Sequence, residues 1–292
     1  MHKAGFVNIL GNPNVGKSTL MNTLLGEKLS IITPKAQTTR HRILGIANGV
    51  DYQIVFSDTP GILSPNYKLQ EQMMQFVKSA LEDADLYIVL TEVADTPIDK
   101  NILQRIEKSG VPVMLLVNKV DLVTADEVDM ICKKWQDAYP GWYVIPVSAL
   151  HGQHIDKVLN KILDLLPESP PFYPKDELTD KPVRFFVAET VREKVLMQYH
   201  QEIPYSVEVA VDTFQEEPNL VRIRCVIHVA RESQKGIIIG HKGSALKKVG
   251  TEARKSLEDF LGKKVFLELH VKVSKNWRED EVQLRRFGYK HH

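Results

Sequence analysis

Apolar positions along this chain fall into two rhythms that alternate. Short continuous runs, Phe6–Leu10, Tyr52–Phe56, Asp85–Leu90, Val111–Val117 and Tyr143–Val147, read as buried strands. Between them apolar residues recur at helical spacing: Leu20, Met21, Leu24 and Leu25; then Leu69, Met73, Phe76, Val77, Ala80 and Leu81; then Ile98–Ile106, a helix ending near Trp135–Tyr139, and finally Ile155, Val158, Leu159, Ile162, Leu165 and Leu166. An additional edge strand is expected around Ile43–Ala47. Strand-helix alternation of this kind predicts an α/β sheet, mostly parallel and covered on both faces, with any ligand at the carboxyl ends of its strands.

The rhythm breaks at Pro167, Pro170, Pro171, Pro174 and Pro182. So many prolines suit neither a helix nor a central strand, and an extended, fairly stiff linker is expected. Beyond it the pattern predicts a strand over Val183–Ala188 and a helix over Glu189–Tyr199. Strands Tyr205–Val211 and Val221–Val229 follow, joined through a turn at Glu216–Asn219. A short apolar helix then meets the amphipathic Ala245–Leu261 through Gly240-His241-Lys242-Gly243, before a strand at Val265–Val273. The domains expected are 1–168, a linker 169–182, and 183–292.

The 292 residues carry a formal net charge of +1. That near-neutrality hides an asymmetry, because residues 1–180 sum to −5 and residues 181–292 to +6. A basic second half suits a polyanionic partner. The longest apolar runs are far below the roughly 20 residues needed to span a bilayer. No charged-then-apolar leader opens the chain, and the cysteines, Cys132 and Cys225, imply no disulfide framework, so a cytoplasmic protein is expected. Cys225 alternates onto an apolar strand face and reads as a core residue rather than a zinc ligand.

Gly11-Asn12-Pro13-Asn14-Val15-Gly16-Lys17-Ser18 matches the phosphate-loop pattern G-x-x-x-x-G-K-S/T, and it sits between a strand and a helix as that chemistry requires. The glycines let backbone approach a polyphosphate, while the helix N-terminus presents unpaired N–H groups. Lys17 would neutralise the β- and γ-phosphates, and the Ser18 hydroxyl would meet Mg²⁺, with Thr19 beside it. In the polar segment Lys35–Arg40, Thr39 is the first choice and Thr38 the second for a hydroxyl that reaches the metal only when a triphosphate is bound. Asp58-Thr59-Pro60-Gly61 ends the next strand; Asp58 would hold Mg²⁺ through water, and Gly61 would offer its N–H to the γ-phosphate. Asn118-Lys119-Val120-Asp121 ends another. The Asp121 carboxylate suits the N1–H and 2-amino groups of guanine, and adenine lacks the latter. Asn118 would meet the base edge or brace the loop, the Lys119 stem would pack on the base, and the backbone of Ser148-Ala149-Leu150 would contact it.

In the second half, Gly240 and Gly243 would let a nucleic-acid backbone come close, flanked by Lys235, Gly236, Ile239, His241, Lys242, Lys247 and Lys248. Basic groups beside an Ile-rich wall suit single-stranded RNA of about four nucleotides. Trp277, Arg278, Arg285, Arg286 and Phe287 could stack on bases, but packing is the expected role of Trp277. The terminal His291 and His292 are given no role.

These motifs, GNPNVGKS, QTTRH, DTPG, NKVD and SAL in order and then GHKG, closely resemble the Era family of bacterial GTPases over nearly the whole chain. The resemblance implies a P-loop G domain followed by an α+β KH domain of the type-two arrangement. It also implies GTP/GDP and Mg²⁺ as cofactors, the 3′ region of 16S ribosomal RNA and the 30S subunit as partners, and peripheral association with the inner membrane face; a monomer is expected. Ile62 stands where Ras-like enzymes carry the Gln that orients the attacking water, so intrinsic hydrolysis should be slow. By analogy with GTPases helped by a monovalent cation, Asn14 would be a K⁺ ligand. An RNA-modifying GTPase would need a catalytic Cys or cofactor site that the second half does not show. A lipid-binding GTPase would need a continuous basic helix, which Gly240–Gly243 interrupts.

Overall fold

The computed structural model describes residues 1–94 and 97–289. The terminal histidine pair lies outside them. Contacts divide the chain into two compact units, Met1–Ser30 with Thr39–Ser64 and Met73–Asp180, and Ile31–Thr38 with Pro65–Gln72 and Lys181–His292.

The first unit alternates β1 (Lys3–Leu10), α1 (Lys17–Leu25), β2 (Ile43–Asn48), β3 (Tyr52–Asp58), α2 (Lys68–Ala80, of which residues from Met73 onward belong to this unit), β4 (Leu86–Glu92), α3 (Lys100–Ser109), β5 (Val113–Asn118), α4 (Ala125–Ala138), β6 (Tyr143–Pro146) and α5 (Ile155–Leu165). Strand order is β2-β3-β1-β4-β5-β6, parallel throughout except for β2, which runs antiparallel to β3. Tyr87, Val89, Val113, Leu115 and Val117 form one core with Val77, Ala80, Leu103, Ile106 and Trp135 of α2, α3 and α4. Their alternates Ile88, Leu90, Met114 and Leu116 are equally buried, so both faces of the sheet are covered, as continuous apolar strands require.

The proline-rich stretch does not run free. The Ile46 N–H donates to the Leu178 carbonyl at 2.8 Å, Gly45 bridges Thr179, and the Leu44 N–H donates to Asp180 Oδ1 at 3.0 Å. These bonds satisfy the outer edge of β2 and cap a strand edge that would otherwise offer unpaired groups. Upstream, Gln53 anchors the same stretch by accepting from the Phe172 and Tyr173 N–H groups.

The second unit carries α6 (Val183–Gln198), α7 (Ile203–Ser206), β7 (Glu208–Glu216), β8 (Leu220–Val229), α8 (Glu232–Ile239), α9 (Ser244–Leu261), β9 (Lys264–Val273) and α10 (Glu281–Arg286). Its sheet is ordered β7-β8-β9, with β8 antiparallel to β7 and parallel to β9. Two expectations are corrected. Val183–Ala188 is the first part of α6, not a strand: Val187, Val191, Val195 and Tyr199 form one stripe into the core. A short apolar run cannot by itself distinguish strand from buried helix, and here the four-residue spacing continues through it. Tyr205 and Ser206 belong to α7, and the strand begins at Glu208. Trp277 is fully buried and donates through Nε1 to the Ser206 carbonyl at 3.0 Å, which gives it the packing role.

Candidate functional site

In the first unit, β1, β3, β5 and β6 end on one side of the sheet, and the polar motifs begin where they end. At Gly11 an added Cβ would come within 2.2 Å of the Leu90 carbonyl oxygen. Gly16, at φ 103°, would place one 2.3 Å from Nδ2 of Asn118. Only glycine fits these two positions. Asn14 is also left-handed, at φ 64°. Lys17 is buried and donates through Nζ to the Gly11 and Asn12 carbonyls at 3.0 and 2.7 Å. Burial pushes its ammonium down to about 8, opposed by the charge of Asp58. An anion at the loop would reverse that depression.

Three oxygens converge beside α1. The Ser18 hydroxyl donates to Asp58 Oδ2 at 2.7 Å and lies 2.8 Å from Thr39 Oγ1, which is itself 3.4 Å from Oδ2. Burial raises the Asp58 pKa against the hydrogen bond from Ser18 and the charge of Lys17. Its Oδ1 is buried and closes no hydrogen bond. A hard divalent cation suits a carboxylate with an unused buried oxygen and two neighbouring hydroxyls. Thr38 is not part of this cluster. Its hydroxyl donates to the Lys35 carbonyl and lies 2.6 Å from Thr33 Oγ1.

Thr59 donates to the Ile9 carbonyl, and the Ile62 N–H donates to the Gly11 carbonyl at 3.1 Å. Pro13 packs so closely on Gly61 that an added Cβ would lie 2.7 Å from its Cα. The Ile62 side chain is buried in the core with Leu10 and Val77. It offers no polar atom to a water.

Asn118 braces the loops rather than facing outward: Nδ2 donates to the Val15 carbonyl at 2.8 Å, and Oδ1 accepts from the Ala149 N–H at 3.0 Å. Lys119, at φ 64°, pairs with Glu92 and donates to the Asn14 carbonyl. Asp121 Oδ1 accepts from Ser148 Oγ at 2.6 Å, and this bond holds its carboxyl below the usual range. Ser148 and Ala149 are buried, whereas Leu150 is exposed. Thr23, which motif reading passed over, holds the Ala149 carbonyl at 2.9 Å.

In the second unit, a 3₁₀ turn at His241–Gly243 joins α8 to α9. Gly240 needs its φ of 70°, and a Cβ there would strike Ala245 at 2.6 Å; Gly243, at φ 79°, faces open space. Beside Gly243 a cleft of about 380 Å³ is lined by Leu246, Lys247 and Arg254 of α9 and by Leu267 and Leu269 of β9. Of the expected set, this cleft gathers Gly243 and Lys247. His241, Lys242 and Lys248 are exposed, while Lys235, Gly236, Ile239 and Gly240 do not line it. The apolar lining of this cleft is Leu246, Leu267 and Leu269; on α8, Ile238 is buried in the core whereas Ile237 is exposed. Arg254, not among the expected residues, joins this lining because its seven-residue spacing from Lys247 places both on one helix face.

The sequence profile described as 50S ribosome-binding GTPase matches residues 6–119, and the KH domain profile matches residues 202–278. GTPase Era of Geotalea daltonii is 47% identical over 98% of this chain and 97% of its own length. The chain belongs to the Era GTPase family. GTPase Era of Syntrophus aciditrophicus is 44% identical over 99% of this chain and 96% of its own. Among solved structures, an Aquifex aeolicus Era variant bound to GDP and AlF4⁻ superposes with a TM-score of 0.96 at 42% identity, covering 99% of this chain and 100% of that one. Era in complex with MgGDPNP and nucleotides 1506–1542 of 16S ribosomal RNA has a TM-score of 0.96 at 41% identity, with full coverage of both chains. The expected fold holds for this Era-family chain: a P-loop G domain with a mostly parallel sheet, followed by a KH domain.

Proposed function

We propose that this Era-family chain is a slow GTPase switch that takes GTP or GDP with Mg²⁺ and binds the 3′ region of 16S ribosomal RNA through its KH domain, assisting maturation of the 30S subunit. The reading rests chiefly on full-length similarity to an Era solved with MgGDPNP and 16S nucleotides. The convergence of Ser18, Thr39 and Asp58 supports it independently.

Residues 11–19 would cradle the phosphates, with Lys17 countering their charge. Ser18, Thr39 and Asp58 would hold Mg²⁺, which when bound neutralises charge developing on the transferred phosphoryl group. Asp121 would read guanine from a loop that Asn118 and Ser148 keep in place. Gly61 would contribute its N–H. With Ile62 buried, no side chain at that position orients the attacking water, and the resemblance makes K⁺ held by Asn14 the replacement. Turnover should fall at least tenfold when K⁺ is exchanged for Na⁺, and unchanged turnover would remove K⁺ from the account.

In the RNA domain, Gly240–Gly243 would admit the sugar-phosphate backbone, Lys247 and Arg254 would face phosphates, and the leucines would receive unstacked bases. Segments 31–38 and 65–72, which adjoin Thr39 and Gly61 in sequence, are bonded within the second unit. Glu193 accepts from Ile32, Lys35 meets His200, and the Leu69 N–H donates to the Arg278 carbonyl. This supports a switch in which the nucleotide biases RNA binding. Membrane association rests on the resemblance alone, and among the described residues no helix is long and apolar enough to cross a bilayer. The deciding experiment is RNA binding to the 3′ segment of 16S ribosomal RNA with GDP, GDPNP or no nucleotide; absence of binding in all three would overturn the reading.

A further inference from the structure

Ser30 ends the turn that follows α1, and the residue is 1% exposed. Asn22 fixes its backbone from both sides: Oδ1 accepts from the Leu29 and Ser30 N–H groups at 3.1 and 3.0 Å, and Nδ2 donates to the Ser30 carbonyl at 2.8 Å. So firm a clamp would ordinarily come with a satisfied side chain. Instead the Ser30 hydroxyl closes no hydrogen bond. Leaving such a group unpaired is costly, and each instance in a folded protein calls for a reason.

The complementary defect lies in the same site. Asp58 Oδ2 is occupied by Ser18 and Thr39, whereas Oδ1 is buried and equally unclosed. The Ser30 hydroxyl faces this carboxylate. A buried hydroxyl that closes no bond thus faces a carboxylate with one buried oxygen equally unclosed, while the other oxygen belongs to the candidate cation cluster.

We propose that Ser30 is a positioning residue for the divalent cation held by Ser18, Thr39 and Asp58: its hydroxyl fixes the orientation of the Asp58 carboxylate through Oδ1. The proposal rests on the Mg²⁺ reading above. Partners of this outer kind tune metal affinity by about 10–100-fold.

The test follows release of a fluorescent GDP analogue against free Mg²⁺ for the natural protein, Ser30→Ala, Ser30→Cys and Asp58→Asn, with thermal unfolding measured in the absence of Mg²⁺. Ser30→Ala should raise the half-saturating Mg²⁺ about tenfold, while metal-free stability stays equal or rises because an unpaired hydroxyl has gone. Ser30→Cys, similar in volume but a weak donor, should behave like Ala and replaces it if Ala does not fold. Half-saturation within twofold of the natural protein in the Ser30 variants, with Asp58→Asn strongly shifted, would overturn the role of Ser30 alone. Release that ignores Mg²⁺ in the natural protein would overturn the cation reading beneath it.

Discussion

Arg192 donates through Nη2 to the backbone carbonyl of Thr38 at 2.5 Å, from a guanidinium that is fully buried. The same group holds Glu189 through Nε and Nη2 at 2.7 and 2.6 Å. Burial opposes its charge, and the neighbouring Glu189 more than offsets that cost. Removing one partner of a buried pair strands the other, which costs about 3–5 kcal/mol. Arg192→Met should therefore lower stability by that order in urea unfolding, and adding Glu189→Met should recover part of the loss. The single variant should also expose residues 31–38 to protease, because Thr38 loses its anchor.

Lys17 and Gly243 belong to different units and, on the proposed function, would serve different ligands. Lys17→Ala removes the cation buried in the phosphate loop and should abolish GTP binding in calorimetry while leaving affinity for the 16S 3′ segment within a few-fold. Gly243→Asp should do the reverse, since it places a carboxylate and a strained left-handed residue, worth roughly 1–2 kcal/mol, beside the cationic cleft. Equal loss of both activities in either variant would contradict separable modules.

Asp121, the residue proposed to read the base, has its carboxylate oriented by Ser148. Asp121→Asn replaces an acceptor with a group that can donate, so GTP should bind at least about 100-fold more weakly. Xanthosine triphosphate, which carries a carbonyl in place of the 2-amino group, should gain. Because Asp121 stays ionised below the ordinary carboxylate range, preference for GTP over ATP should persist unchanged from pH 8 to pH 5 in competition binding.

Burial pushes the Cys225 thiol up to about 12, and the residue is wholly enclosed in the core of the second unit. At pH 8 iodoacetamide should modify Cys132 slowly and Cys225 only after unfolding, as peptide mass spectrometry would show. The sign of the linked stability follows: an unfolded cysteine ionises near 8.5, so the contribution of a protonated Cys225 is complete below that pH. It is lost progressively as pH rises toward 12.

The phosphate loop, Asp58, Gly61 and the Asn118–Asp121 loop could be picked out as candidates in sequence because each is a short motif of residues adjacent along the chain at a strand end. Backbone amides at a strand-to-helix turn cannot be assembled from distant pieces, so glycine spacing betrays them. The covered parallel sheet was legible for a similar reason, since its strands are apolar on both sides. Val183–Ala188 misled because a short run of large apolar residues fits a strand as well as a buried helix until the stripe through Tyr199 is seen packed.

Sequence alone marked the candidate positions for polyphosphate, guanine and an RNA backbone, and the alternation of strand and helix that carries them, through local chemistry and periodicity. Only the folded chain decided which threonine hydroxyl joins Ser18 and Asp58, which leucines floor the cleft, and that Leu178–Asp180 seals the β2 edge. Those choices pair residues tens to hundreds of positions apart. They are settled by packing and by closing buried hydrogen bonds, which leave no periodic trace along the chain.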